Sequence, residues 1–408
     1  MEILINDSVK FFEKAKELVN LGYKIIDVSD LSYTLAKEDT ITLKLNLDIK
    51  QSNVIYPNFR NTLIDIINDF KENYTSHNYK NKDIFDKEYE NTIIIILDGM
   101  GKNILNNFNK LYPDNFLNKH YLRDVYSIYP STTAAATTSI ISGLCPIETG
   151  WTGWQNYFRE INANVILFTG NNYYTGEKEY IDSRKLLPYK PYYDDIKVKG
   201  SIVEPDFSNK KYKFSDTLKR SLKLLKEGYK TMYLYDETPD RELHMLGTNN
   251  KIIYEKLNEY SKSLSVWYNR IPNNTLVVIS ADHGHKDVVN LSLYLDDVLN
   301  SYLKRLPSND SRCVSFSVYD NLKDSFVCYF NKMYGKYYKL FTKDEIIKNN
   351  YFGYGKTQER IDDFLSDFVA FATCNLKFCF HEDDMFQKSS HAGITEEEMI
   401  VPLIVLKK

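Results

Sequence analysis

Four times along this chain a short apolar run ends in a polar cluster and a helical segment follows. NTIIIIL precedes Asp98-Gly-Met-Gly, DVYSIYPST precedes Thr133, KTMYLYDETP precedes Asp240, and TLVVIS precedes Ala-Asp282-His283-Gly-His285. Strands that alternate with helices imply a mostly parallel sheet covered by helices on both faces, an α/β fold. In an open sheet of that kind, ligands bind outside the carboxyl ends of the strands. Asp98, Thr133, Asp240 and Asp282 are therefore expected to meet at one edge, although far apart in sequence. His391 comes before the last apolar run, MIVPLIVL. It reaches the same edge only if that last strand runs antiparallel or its loop doubles back.

At 408 residues the chain can bury a large core, as several domain-sized units or one α/β domain with insertions. A net charge of −3 gives the molecule no general attraction to nucleic acid or anionic lipid. The expected partner is a small molecule, with no membrane and no specific nucleic acid. Five cysteines without regular spacing or a C-x-x-C argue against a disulfide framework or a cysteine zinc ribbon. The N-terminus has no secretory pattern, and no apolar run has the length of a membrane span. Together these predict a cytoplasmic location.

Residues 1–50 read as a small α/β appendage. DSVKFFEKAKELVNLG is a helix with Asp7 as N-cap and Gly22 as stop, and YKIIDVSD and TITLKLNLD are strands. YPNFRNTLIDIINDFKENY reads as a helix started by its proline. Residues 51–408 form the catalytic domain. Within it, 155–212 is a Tyr-, Lys- and Asn-rich insertion, and 310–385 is a small α+β cap-like subdomain.

Each candidate residue has an ordinary explanation when taken alone. Thr133 lies in PSTTAAATTSIISGL, where the Ser/Thr cluster could simply cap a helix. A hydroxyl at a helix N-terminus also sits among free N–H groups, which is a phosphate site. A divalent metal could make it a nucleophile. Thr132 is the rival, one residue away. Asp98 could be only a turn residue beside Gly99. Asp240 and His244 have the i, i+4 spacing that puts two ligands on one helical face. An apolar strand ending in Asp282-His283-Gly-His285 asks for a partner for those groups, and spacing does not say which histidine binds. Three histidines, three aspartates and one threonine are enough for two metal ions and a nucleophile, as in a two-metal phosphoryl-transfer enzyme. His77, His120 and His381 fall outside these stretches.

LDGMG, YPSTTAAATTSIISGLCPIETGW, PDRELHMLG, ISADHGHKD and HAGITEEEMIVPLIV, in this order, resemble the alkaline phosphatase superfamily. The nearest branch is the nucleotide pyrophosphatase/phosphodiesterase group, with its bacterial type I phosphodiesterase relatives. The likeness covers roughly residues 51–408. It implies that Asp240, His244 and His391 hold one zinc, that Asp98, Asp282 and His283 hold a second, and that Thr133 faces it as nucleophile. It favours Thr133 over Thr132 and His283 over His285. A covalent phosphothreonine is implied, with the Ala134 N–H on a non-bridging oxygen.

The sequence departs from the group's nucleotide-binding pattern in two places. Ala134-Ala135-Ala136 stands where eukaryotic members have Phe-Pro-Asn. In GWTGWQNYF, Trp154 occupies the count of an oxyanion-binding Asn, and Asn156 is two further on. Trp151 and Trp154 are candidates for stacking on substrate or for core packing. No arginine flanks the nucleophile, Arg123 being ten residues upstream, which points to diesters. A monoesterase or phosphonate hydrolase is the alternative. A mutase or a non-catalytic metal-binding protein stands further off.

Overall fold

A computed structural model describes residues 2–5, 8–21, 23–37, 41–47, 49–179, 181–209 and 211–408. The apolar runs lie in one six-stranded sheet. Its order is Tyr121–Tyr126, Ile400–Lys407, Thr275–Ser280, Asn91–Leu97, Thr231–Asp236, Gly200–Val203. Asn91–Leu97 pairs in parallel with both of its neighbours, and Gly200–Val203 extends the parallel set. Ile400–Lys407 runs antiparallel to Thr275–Ser280 and to Tyr121–Tyr126. Its N-terminal end therefore lies beside the carboxyl ends of the others. Of the two routes open to His391, the chain takes the antiparallel strand.

Successive side chains of a strand point to opposite faces. Ile93, Ile94, Ile95 and Ile96 are all fully buried, so both faces of the sheet are covered. Helices Leu63–Glu72, Lys102–Leu111, Phe214–Lys226 and Lys251–Tyr268 supply side chains to that core. Each buried isoleucine contributes about 1.5–3 kcal/mol. The first of these helices begins at Leu63, not at Pro57. Asp65 fixes the start by accepting the backbone N–H groups of Asn61 (2.8 Å) and Thr62 (3.4 Å).

Two stretches that are far apart in sequence share a second, antiparallel sheet. Its order is Tyr338–Thr342, Phe368–Ala372, Cys313–Phe316, Ser308–Asn309, Gln155–Phe158, Ala163–Ile166. The 155–212 stretch thus contributes strands to both sheets, because Gly200–Val203 belongs to the first. Gln155 and Asn309 of the second sheet line the cavity in front of Thr133.

Near the N-terminus, helix Ser8–Asn20 packs on a four-stranded sheet, Glu2–Ile5, Ile41–Leu47, Ser32–Lys37, Lys24–Ser29. Asp7 and Gly22, the expected cap and stop of this helix, lie outside the described residues. Phe11, Ala15 and Leu18 join Val289, Leu291, Phe330 and Met333 in one core, so this unit packs against the rest of the chain. Among the described residues, no helix is long and apolar enough to cross a membrane.

Candidate metal centre and active site

Each candidate side chain reaches the carboxyl edge by a local device. Asp98 directly follows strand Asn91–Leu97, and Gly99 then turns the chain at φ 71°. A side chain at Gly99 would come within 2.9 Å of the His285 ring and 3.1 Å of the Asp240 backbone. Asp240 opens helix Asp240–Leu246, and its N–H donates to the Asp98 carbonyl (3.0 Å). Thr133 is the first residue of helix Thr133–Ser142, and Thr132 is its N-cap.

Two clusters result. Asp98, Asp282 and His283 form a fully buried group whose ligand atoms lie within 4.8 Å of one another. Asp240, His283, His285 and His391 form another within the same limit. His244 stands beside the second, its Nε2 3.4 Å from Asp240 Oδ1. His391 Nε2 is 3.7 Å from that oxygen. The structure thus brings together all seven residues that the sequence grouped, and adds His285.

The hydrogen bonds distinguish the histidines. His244 Nδ1 faces the Ser389 carbonyl (2.9 Å), His283 Nδ1 the Gly284 carbonyl (3.1 Å), and His391 Nδ1 the Ser131 carbonyl (3.2 Å). A carbonyl can only accept, so Nδ1 carries the proton in each neutral ring and Nε2 keeps its lone pair. Each of the three turns Nε2 toward the centre, the arrangement of a metal-binding imidazole. His285 is different. Its Nε2 meets Asp240 Oδ1 at 2.5 Å and its Nδ1 meets Ser389 Oγ at 3.0 Å, so both nitrogens are engaged.

The electrostatics call for added positive charge. Burial, then the charges of Asp282 and Asp240, hold the Asp98 carboxyl well above its ordinary range. Asp98 Oδ1 and Asp282 Oδ2 are buried without a hydrogen-bond partner. Burial, reinforced by His283, holds His391 well below 6.5, and burial lowers His285 to about 4. Burial pushes Asp240 upward, but His244, His285 and His391 outweigh it and hold Asp240 well below 3.8. Orphaned carboxylate oxygens beside imidazole nitrogens fit divalent cations, which would satisfy both.

Thr133 Oγ1 lies 3.2 Å from His283 Nε2 and 3.4 Å from Asp98 Oδ2. Thr132 Oγ1 turns the other way and donates to Asp310 Oδ2 (2.9 Å). Tyr235 donates its hydroxyl to Asp98 Oδ2. Trp154, 37% exposed, lines the cavity in front of Thr133. Trp151 is fully buried and donates to the Leu187 carbonyl (3.1 Å), so it is a core residue. Asn156 is not brought to the cavity. Its carboxamide is buried between Thr152 Oγ1 (3.1 Å) and the Gly150 carbonyl (2.8 Å).

Sequence reasoning missed the opposite wall, which includes Gln155, Tyr173, Asn309, Asp310 and Lys377. Only long-range strand pairing gathers these residues, and no local motif marks them. His77, His120 and His381 lie away from the centre, beside Glu88, Phe116 and Asp384 respectively.

The fold and the site define a member of the alkaline phosphatase superfamily. Residues 92–392 match the family model for type I phosphodiesterase / nucleotide pyrophosphatase. The chain belongs to that family, and it is a hydrolase of phosphoric esters. No curated protein sequence matches the chain significantly. Among solved structures it is similar to murine ectonucleotide pyrophosphatase/phosphodiesterase 5, an inactive form in complex with AMP. There the TM-score is 0.57 and the identity 14%, over 77% of this chain and 87% of that one. It is also similar to phosphonoacetate hydrolase from Sinorhizobium meliloti 1021 in complex with phosphonoformate. That TM-score is 0.59 and the identity 15%, over 79% of this chain and 92% of that one.

Proposed function

We propose that this chain hydrolyses small phosphodiesters through a covalent ester on Thr133, with two zinc ions as cofactors. The observation that supports this most is the setting of Thr133. Its hydroxyl faces His283 and Asp98 from the first turn of a ten-residue helix. The free N–H groups and positive dipole end of such a turn favour a phosphoryl oxyanion.

Asp98, Asp282 and His283 would hold one cation, and Asp240, His244 and His391 the other. His285 steadies Asp240 by hydrogen bond. Mixed imidazole and carboxylate donors suit zinc. Bound there, the cations supply Lewis acidity that lowers a hydroxyl pKa and offsets phosphoryl charge.

Thr133 Oγ bonds to phosphorus as the bond to the leaving oxygen breaks, and the departing alcohol takes up a proton. The N–H of Ala134, second in the helix and without an intrahelical partner, donates to a non-bridging oxygen. Water then cleaves the Thr133 ester, restoring the hydroxyl and releasing a monoester. Trp154 is placed at the cavity to stack on a substrate group. Among the described residues lining the cavity there is no arginine, and the one lysine, Lys377, stands on the wall opposite Thr133, which favours a diester over a doubly charged monoester. All five cysteines are free, which goes with a reducing, cytoplasmic location.

The test is turnover of a chromogenic phosphodiester, monoester and phosphonate ester, each with chelator and after zinc is restored. The diester is expected to be cleaved fastest, in a zinc-dependent manner. Absence of chelator-sensitive cleavage of all three rejects the proposal.

A further inference from the structure

The cavity in front of Thr133 encloses about 250 Å³, and part of its lining belongs to neither metal cluster. Gln155 and Asn309 stand opposite each other where Gln155–Phe158 pairs with Ser308–Asn309. Gly153 permits this approach, since a Cβ there would lie 2.7 Å from the Asn309 backbone. Gln155 is only 1% exposed, and its carboxamide lies by the Tyr174 hydroxyl without completing a hydrogen bond within 3.5 Å. Asn309 Nδ2 is likewise buried and unpartnered, while its Oδ1 accepts from Thr152 Oγ1 (3.3 Å). Each buried polar group left unpaired costs about 1–3 kcal/mol. Three such atoms on one wall need an explanation in a ligand.

Lys377 supplies charge to the same wall. It is 1% exposed and lies in the buried strand Leu376–Cys379. Its Nζ donates to the Asp384 carbonyl (2.8 Å) and approaches Cys379 Sγ (3.7 Å). Among the described residues, no carboxylate oxygen comes within 4.0 Å of that ammonium. The carboxylates on this wall are engaged elsewhere. Asp310 accepts from Thr132 Oγ1 and the Ser311 N–H, and Asp384 accepts from the Tyr173 hydroxyl and the Phe380 N–H. Asp310 acts on the Lys377 ammonium only through space, so a buried ammonium with no anion in contact gains when one reaches it.

We propose that Lys377, Gln155 and Asn309 form a subsite for a second oxyanion, a carboxylate or phosphate group carried by the substrate beyond the reacting phosphorus. An ammonium and two carboxamide N–H donors match the acceptor-only character of such a group. The inference rests on the reading of Thr133 and the metal clusters as the phosphoester site.

Calorimetry on the zinc-loaded protein tests it without turnover. The probes are ethyl phosphate, carboxymethyl phosphate and methylenebisphosphonate. Carboxymethyl phosphate carries a carboxylate where ethyl phosphate ends in a methyl group, and methylenebisphosphonate carries a second phosphonate one atom closer to the first phosphorus. At least one anionic probe is expected to bind about tenfold or more tighter than ethyl phosphate, as a charge-assisted hydrogen bond implies. Which of the two gains more identifies the oxyanion. Lys377→Met should bring the ratio close to one, Lys377→Arg should keep most of it, and Gln155→Leu should reduce it. If Lys377→Met does not fold, Gln155→Leu and Lys377→Arg still decide the point. Binding of ethyl phosphate with no preference for the doubly anionic probes overturns the subsite alone, as does a preference left undiminished by Lys377→Met or by Gln155→Leu. No binding of any probe overturns both the subsite and the phosphoester site.

Discussion

Thr132 and Thr133 are adjacent and both buried, yet helix geometry turns their hydroxyls to different partners, Asp310 for one and His283 with Asp98 for the other. Burial sets the chemistry of other residues just as firmly. It raises the Cys145 thiol to about 12 and the Cys374 and Cys379 thiols to about 11, and it raises Cys313 as well. Cys328 is exposed. Thiolate is the reactive form, so iodoacetamide at pH 8 should add one label to the native protein, at Cys328, and five after unfolding. Mass spectrometry of the intact chain reads this directly, and native labelling of Cys145 would contradict it. The linkage has a definite sign. A thiol raised above its ordinary 9.0 contributes stability that is complete below pH 9 and is lost as pH rises through 11–12. At this scale the sequence could single out the residues that the structure gathers, because their types are chemically distinctive. It could not choose between His283 and His285 by spacing, since that depends on which ring nitrogen meets a carbonyl.

At the scale of elements, the loop carrying His391 is bolted to the second sheet by a buried ion pair. Arg312, just before strand Cys313–Phe316, donates Nε to Glu398 Oε1 (2.6 Å) and Nη2 to Oε2 (2.7 Å), with both side chains fully buried. Glu398 also accepts the Gly393 N–H (2.8 Å), two residues beyond His391. Burial works against the Glu398 charge, but Arg312 outweighs it and keeps the carboxylate below its ordinary range. Removing one partner leaves an uncompensated buried charge. Glu398→Gln or Arg312→Met should therefore lower unfolding free energy by about 3–5 kcal/mol in urea titrations. A change below 1 kcal/mol would mean that the pair does not hold the loop. Elements with strong local patterns, such as TIIIIL and TLVVIS, were legible as buried strands. Strands such as Ser308–Asn309 and Gln155–Phe158 were not, because their pairing is long-range and leaves no periodic signature. The cavity wall they form was hidden for the same reason.

Over the whole molecule, one sheet places the candidate metal ligands, a second lines the cavity in front of Thr133, and the N-terminal unit leans on the second. The mostly parallel sheet followed from where polar residues end apolar runs, and the antiparallel last strand was one of two routes left open for His391. The joining of distant stretches into the second sheet did not. Deleting residues 1–47 would expose the apolar face formed by Val289, Leu291, Phe330 and Met333. The truncated chain should then aggregate or melt several degrees lower on a thermal scan, whereas unchanged melting would show that the unit adds no stability. The central claim is that Thr133 is the attacking group of a metal-dependent hydrolase. Rapid acid quench of the zinc-loaded protein during turnover of a phosphodiester, followed by peptide mass spectrometry, tests it most directly. The account predicts a phosphoryl ester on Thr133, and neither ester nor turnover in Thr133→Ala. Full turnover by Thr133→Ala would contradict it.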